Sequence, residues 1–98
     1  MASEQQARTG DMRATASRHV TNSTAALDSV KKMKADHEAL VSSGGWVDKS
    51  ATQYGIYLQD AVNAQQKLHD YTTNTAVPAL HRQADGYDAI SNSMHVGG

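Results

Sequence analysis

Five histidines in 98 residues are the densest supply of chemistry-bearing side chains in this sequence: His19, His37, His69, His81 and His95. Imidazole ligates transition metals and moves protons near neutral pH. On a helix, a metal site wants two ligands four residues apart, because those positions share a face. Only His81 and Asp85 meet that spacing. His69 and Asp70 are adjacent, so on a helix they point about 100° apart. Two ligands on one exposed helix hold a metal weakly, and neither a metal nor a cofactor is expected. The plainer reading is histidines that face solvent or edge a helix seam. His37 falls on an apolar stripe. Its protonation near pH 6 is expected to loosen a helix interface. The melting temperature should then drop between pH 7 and pH 5, and by less in His37→Gln.

The other chemical motifs are thinner. Lys31, Lys32 and Lys34 form a small basic run, but Asp28, Asp36 and Glu38 surround it and no aromatic residue is interleaved. That pattern is a solvated helix face, so no nucleic-acid partner is expected. There is no Gly-rich phosphate loop, no Ser/His/Asp spacing and no paired-carboxylate pocket. Two helices offer no cavity of catalytic size. No catalytic residue is assigned, and an enzyme is not expected.

Composition limits what can position these groups. Hydrophobic residues are 39% of the chain and many are Ala; Phe is absent, Ile occurs twice and Leu five times. Such a chain cannot fill a thick core, since small domains bury a modest share of their surface. It can fill a thin seam between helices. The net charge of −1 selects no nucleic acid or anionic membrane. No window approaches the ~18–20 apolar residues of a membrane span, so direct membrane insertion is not expected. The opening stretch MASEQQARTGDMR has no apolar segment. The expectation is synthesis in the cytoplasm and, if the protein is exported, export without a cleaved leader.

The chain divides at Gly44 and Gly45. Before them, Met12, Ala16, Val20, Ser23, Leu27, Val30, Met33, His37 and Leu40 recur every three or four residues, which is one stripe of a helix. After them, Ala51, Tyr54, Leu58, Ala61, Gln65, Leu68 and Thr72 do the same. A second stripe after the proline (Val77, Leu80, Ala84, Tyr87, then Ala89 or Ile90, then Met94) is out of phase with the first, as a kink or stutter produces. The reading is all-α: helix 1 over about 5–42, a turn at 43–47, helix 2 over about 48–92 kinked near Pro78, and a frayed tail at 93–98. A short connection makes the two long helices an antiparallel hairpin. Its seam is expected from Val30, Met33 and Leu40 against Ala51, Tyr54, Leu58 and Leu68.

The turn carries the only Trp. Gly44 or Gly45 can take the left-handed conformation that ends helix 1, and Asp48 is expected in the first turn of helix 2, where a carboxylate suits the dipole. Trp46 is expected to plug the open end of the hairpin, because an indole buries on the order of 150–250 Å². About 100 residues, two long helices and a central turn with Trp resemble the WXG100 family, the ESAT-6/CFP-10-like substrates of type VII secretion. The resemblance rests on Trp46 in GGWVDKSATQY and on Ala51, Tyr54 and Leu58 after it. Where the family places Gly two residues after the Trp, this chain has Asp48. No Tyr here has an acidic residue four positions on, the export signal common in the family or its partner subunits.

The resemblance implies a small protein secreted by, or targeted to, an ESX-like system, recognised by an FtsK/SpoIIIE-type ATPase. It implies work by protein–protein contact as a homodimer or a heterodimer with a paralogous hairpin. The rival reading is a cytoplasmic helical adaptor or chaperone-like module. Independently, each helix of a lone hairpin buries one stripe, and apolar residues off that stripe would bury in a four-helix bundle. The turn (Gly44, Gly45, Trp46, Asp48) is the expected recognition element, and Leu80, Tyr87 and Ile90 the expected partner surface near the C-terminus.

Overall fold

A computed structural model describes residues 2–97, with side chains described over 7–93. The protein is an all-α helical hairpin, with no strand among the described residues. Helix α1 runs Ala2–Ser42, α2 runs Lys49–Tyr71, a π-helical turn spans Thr72–Ala76, and α3 runs Val77–Gly97. The segment expected to fray, up to Gly97, is therefore helical. The helices form two compact units. One joins α1 up to Thr21 to the chain from Tyr71 onward; the other is Asn22–Asp70.

In the Asn22–Asp70 unit the seam residues of α1 are Ser23, Leu27, Val30, Lys34 and His37, spaced by three and four. Those of α2 are Ala51, Gly55, Leu58, Val62, Gln65 and His69. Leu27, His37, Ala51 and Leu58 are buried and the others half-buried. In the other unit, α1 contributes Thr9, Arg13, Ala16 and Val20. Helix α3 contributes Val77, His81, Ala84, Asp88 and Ser91. Of the six buried apolar residues among the described side chains, Ala16, Ala51 and Ala84 are alanines, and only Leu27, Leu58 and Val77 are larger. The small ones let the helices approach closely but bury little surface. The seam is thus thin, as the composition requires.

The expected kink near Pro78 takes the form of the π turn. Pro78 is the second residue of α3. It has no N–H to give the carbonyl four residues back, and its ring crowds that carbonyl. The chain answers one turn earlier: the Val77 N–H bonds the Thr72 carbonyl five residues back. A π turn inserts one residue into the helical repeat. Seam positions therefore step by five from Thr72 to Val77 and then resume at three and four. That insertion is the physical origin of the phase shift visible in the sequence.

Candidate interaction surface

The turn is built from the glycines outward. Gly44 has φ of +79°, the left-handed conformation that costs a β-carbon-bearing residue energy. The Gly45 N–H bonds the Leu40 carbonyl and the Gly44 N–H the Val41 carbonyl, each at 3.0 Å. Those two bonds are the Schellman closure of a helix C-terminus. The Ser43 hydroxyl donates to the Leu40 carbonyl at 2.9 Å, adding a partner at the same end. A β-carbon on Gly45 would lie 2.5 Å from Leu40 Cδ1, so the Leu40 side chain lies against the Gly45 backbone.

Asp48 lies one residue before α2, not in its first turn as expected. It is the N-cap: Oδ1 accepts the Ala51 N–H at 3.1 Å, the third N–H of the helix and one of its orphan donors. The same oxygen accepts the Ser50 hydroxyl and, at 2.9 Å, the Trp46 indole N–H. The Ser50 hydroxyl, then the Ala51 amide and the indole, hold the Asp48 carboxyl below the usual carboxylate range. One carboxylate oxygen thereby starts α2 and fixes the indole.

Trp46 is half-buried and closes against two rings. Its ring centre is 5.5 Å from that of His37, edge-on at 85°, and 5.6 Å from that of Tyr54. His37 and Tyr54 meet at 5.2 Å. His37 is the buried member, and its Nε2 lies 2.8 Å from the Ala51 carbonyl. A carbonyl only accepts, so Nε2 carries the proton in that bond. The imidazole lies over Gly55, where a β-carbon would come 3.3 Å from Nε2. Gly55 makes room for His37, and the imidazole joins α1 to α2 beneath the indole.

Further polar bonds cross the seams. Ser23 Oγ and His69 Nδ1 are 2.9 Å apart within the Asn22–Asp70 unit. In the other unit the buried Thr9 hydroxyl donates to Asp88 at 2.7 Å. The Arg13 guanidinium reaches Asp85 at 2.7 Å and Asp88 at 2.8 Å. Asp85, spaced to share a metal with His81, is thus occupied by Arg13. The Thr9 hydroxyl, then Arg13, hold the Asp88 carboxyl below its usual range; the two carboxylates raise the Arg13 guanidinium further. Because a one-residue slip would break all of these bonds, they specify register where the apolar seam is weak.

Most of the larger apolar side chains missing from the seam face outward on one flank; exposed Val41, Val47 and Ile56 lie off it. Each flank residue lies one position before a seam position, about 100° round the helix in the same rotational sense. Two antiparallel helices facing each other carry such positions to the same side of the pair. In the Asn22–Asp70 unit these are Met33 and Leu40 of α1, and Tyr54, Tyr57, Ala61, Ala64 and Leu68 of α2. Met33, Leu40 and Tyr54 are 44–46% exposed, Leu68 56% and Tyr57 60%. The opposite flank carries Thr24, Lys31, Glu38, Thr52, Gln59 and Gln66, with Ile56 its one large apolar residue. The other unit repeats the asymmetry with half-buried Met12 and Leu80 and exposed Tyr87 and Ile90.

This placement corrects the expected seam. Ala51 and Leu58 are buried and Val30 is half-buried. Met33 and Leu68 are not enclosed, because Lys34 and His69 hold the adjoining seam positions and turn them onto the flank; Leu40 is exposed too, beside the turn. Tyr54 keeps one side on Trp46 and His37 and exposes the other. Gly44, Gly45, Trp46 and Asp48 meet in one turn. Leu80, Tyr87 and Ile90 share a flank of α3. Thr9, Arg13, Asp88, Gly55 and the Ser23–His69 pair escaped sequence reasoning. Thr9 and Arg13 continue the three-four spacing backward from Ala16, but a search for apolar stripes passes over a Thr and an Arg. No protein-family model, curated protein or solved structure matches the chain.

Proposed function

We propose that this protein is a protein–protein interaction module whose apolar flank packs against another helical hairpin, completing a four-helix bundle. One observation carries the reading: most of the exposed large apolar side chains, Met33, Leu40, Tyr54, Tyr57 and Leu68 in the Asn22–Asp70 unit, share a single flank, while the seam is thin and rich in small residues and polar bonds. Half-exposed Tyr, Leu and Met aligned along paired helices are the pattern of an interface core. A partner hairpin would bury them as a bundle does.

The narrower proposal is that the module serves a type VII, ESX-like pathway, as a secreted substrate or as the targeting partner of one. Its support is the layout: a single Trp in the turn, fixed by a residue of the second helix's cap, with Tyr54 beneath it. An export ATPase of the FtsK/SpoIIIE type would read the turn together with the C-terminal segment. The second reading, a cytoplasmic adaptor that is not exported, draws on Asp48 standing where the family has glycine. The interface is tested by Met33→Glu on the apolar flank beside Gln59→Glu on the polar one. The first should abolish assembly with the partner hairpin and the second should not; equal effects would remove the flank reading. Export is tested by detecting the tagged protein in culture filtrate with and without the ATPase, beside Trp46→Ala. Filtrate levels independent of the ATPase would leave the adaptor.

A further inference from the structure

The polar flank of the Asn22–Asp70 unit carries a cleft beside the turn, and we infer that it binds a primary ammonium ion on a short apolar stem. The cleft originates in a missing side chain. Gly55 of α2 leaves a gap between the last turns of α1 and the first turns of α2, a cavity of about 280 Å³. The buried His37 ring forms its floor: a β-carbon on Gly55 would stand 3.3 Å from Nε2 and 3.5 Å from Cδ2. The Nε2 proton is already given to the Ala51 carbonyl, so the neutral ring has no N–H left for an anion. Exposed Val41 and buried Ala51 supply apolar walls. The space lies at the small end of ligand pockets, which start at roughly 300 Å³, and suits a stem of a few carbons.

The rim selects the charge. It holds the Glu38 carboxylate and the Ser42 and Thr52 hydroxyls, and no Lys or Arg among the described residues lines it. Glu38 stands one turn from the C-terminal end of α1, the negative end of the helix dipole. No basic residue occupies the last turn of α1 to balance that end. The Lys34 ammonium reaches Glu38 only at 3.5 Å, longer than the ~2.7–2.9 Å of a charge-assisted hydrogen bond. The Glu38 side chain stays 62% exposed. Carboxylate, helix end and hydroxyl oxygens therefore present negative potential to one opening. An ammonium has three N–H donors to share among them, while its stem covers Val41, Ala51 and the bare face of Gly55. A neutral alcohol gains no charge attraction there, and an anion is repelled.

The probe is n-butylammonium, with n-butanol and butyrate as its neutral and anionic counterparts. N-acetyl-lysine methylamide carries the same stem and ammonium on a peptide backbone. Amide NMR titration of the full chain should give saturable shifts at Glu38, Val41, Thr52 and Gly55 with the ammonium, and none with butanol or butyrate. Glu38→Gln should weaken binding about tenfold or more, since an ionic hydrogen bond is lost. Lys34→Gln removes the internal competitor for Glu38 and should tighten binding. Asp60→Asn and Lys67→Gln, at exposed positions that do not line the cleft, change the net charge equally and should do neither. Thr52→Leu, also at an exposed position, fills the opening and should block binding with the helical circular dichroism unchanged. Equal binding of the lysine amide assigns the cleft to a lysine side chain of a peptide; binding of the free amine alone assigns it to a small amine. Butanol shifts equal to those of butylammonium, shifts that survive Glu38→Gln, or no saturable shift in wild type would overturn the proposal. The cleft lies off the apolar flank, so its failure and that of the interface reading are separate.

Discussion

Two glycines in helix interiors make opposite predictions for the same chemical change. Gly86 in α3 has nothing within 4 Å of an added β-carbon. Gly86→Ala therefore gains helix propensity alone, about 0.8–1.0 kcal/mol, which raises the melting temperature of a domain this size by roughly 4–8 °C. Gly55→Ala makes the same gain in α2 but sets its methyl 3.3 Å from His37 Nε2. The imidazole has little room to yield. Its Nε2 is bonded to the Ala51 carbonyl, and the Trp46 and Tyr54 rings pack against it. Overpacking a fixed neighbour costs typically 1–3 kcal/mol. The net for Gly55→Ala is a loss of between roughly 0 and 2 kcal/mol. Thermal melts at 222 nm, at one fixed protein concentration, read both variants. Removing the obstacle should reverse the sign: in a His37→Ala background, Gly55→Ala should stabilise as Gly86→Ala does, a coupling of contacting residues. If Gly55→Ala stabilises wild type as much as Gly86→Ala, His37 is not held over Gly55 and the account of the turn fails.

Other outcomes follow from the same contacts. Gly44→Ala should destabilise by about 1 kcal/mol, because alanine resists φ of +79°, and Gly44→Asn by less; urea melts of the two compare them. Asp48 carries a depressed carboxyl pKa, so its contribution is complete above the ordinary value of about 3.9 and is lost as pH falls through the lower folded value. Between pH 5 and pH 2 wild type should therefore lose stability more steeply than Asp48→Asn, which keeps a good N-cap at neutral pH; parallel slopes in acid melts would contradict this. Thr9→Val keeps shape and loses the bond to Asp88, so it should lower the melting temperature and soften the acid dependence that Asp88 contributes. As the only Trp, Trp46 should give blue-shifted emission in the native protein, moving red in Asp48→Ala as the indole N–H loses its acceptor.

The helices, the turn and the stutter were legible because they depend on local rules. Gly44 or Gly45 could end a helix, Asp48 belonged at the start of one, and the broken phase of the stripe around Pro78 pointed to a kink or a stutter. The seam was legible only in part. An apolar stripe search favoured Met33 over Lys34 and Leu68 over His69, yet in each pair the polar residue takes the seam. A long Lys stem can lie along a seam with its ammonium outside, and His69 gains Ser23 as a partner. Such choices turn on residues 46 or 79 positions away in the chain, as with Ser23 and His69 or Thr9 and Asp88, and no window along one helix contains them. The apolar residues misplaced onto the seam are the ones that form the outward flank. What looked like core in one dimension is interface in three.

The central claim is that the hairpin's larger apolar side chains await a partner hairpin, so that folding and association are linked. The most direct measurement is the melting temperature of the pure wild-type protein across a wide range of concentration. Linkage requires the temperature to climb with concentration, and Tyr57→Glu should melt lower with no such climb. A cooperative melt that ignores concentration, from a particle of 10.5 kDa, would contradict the account.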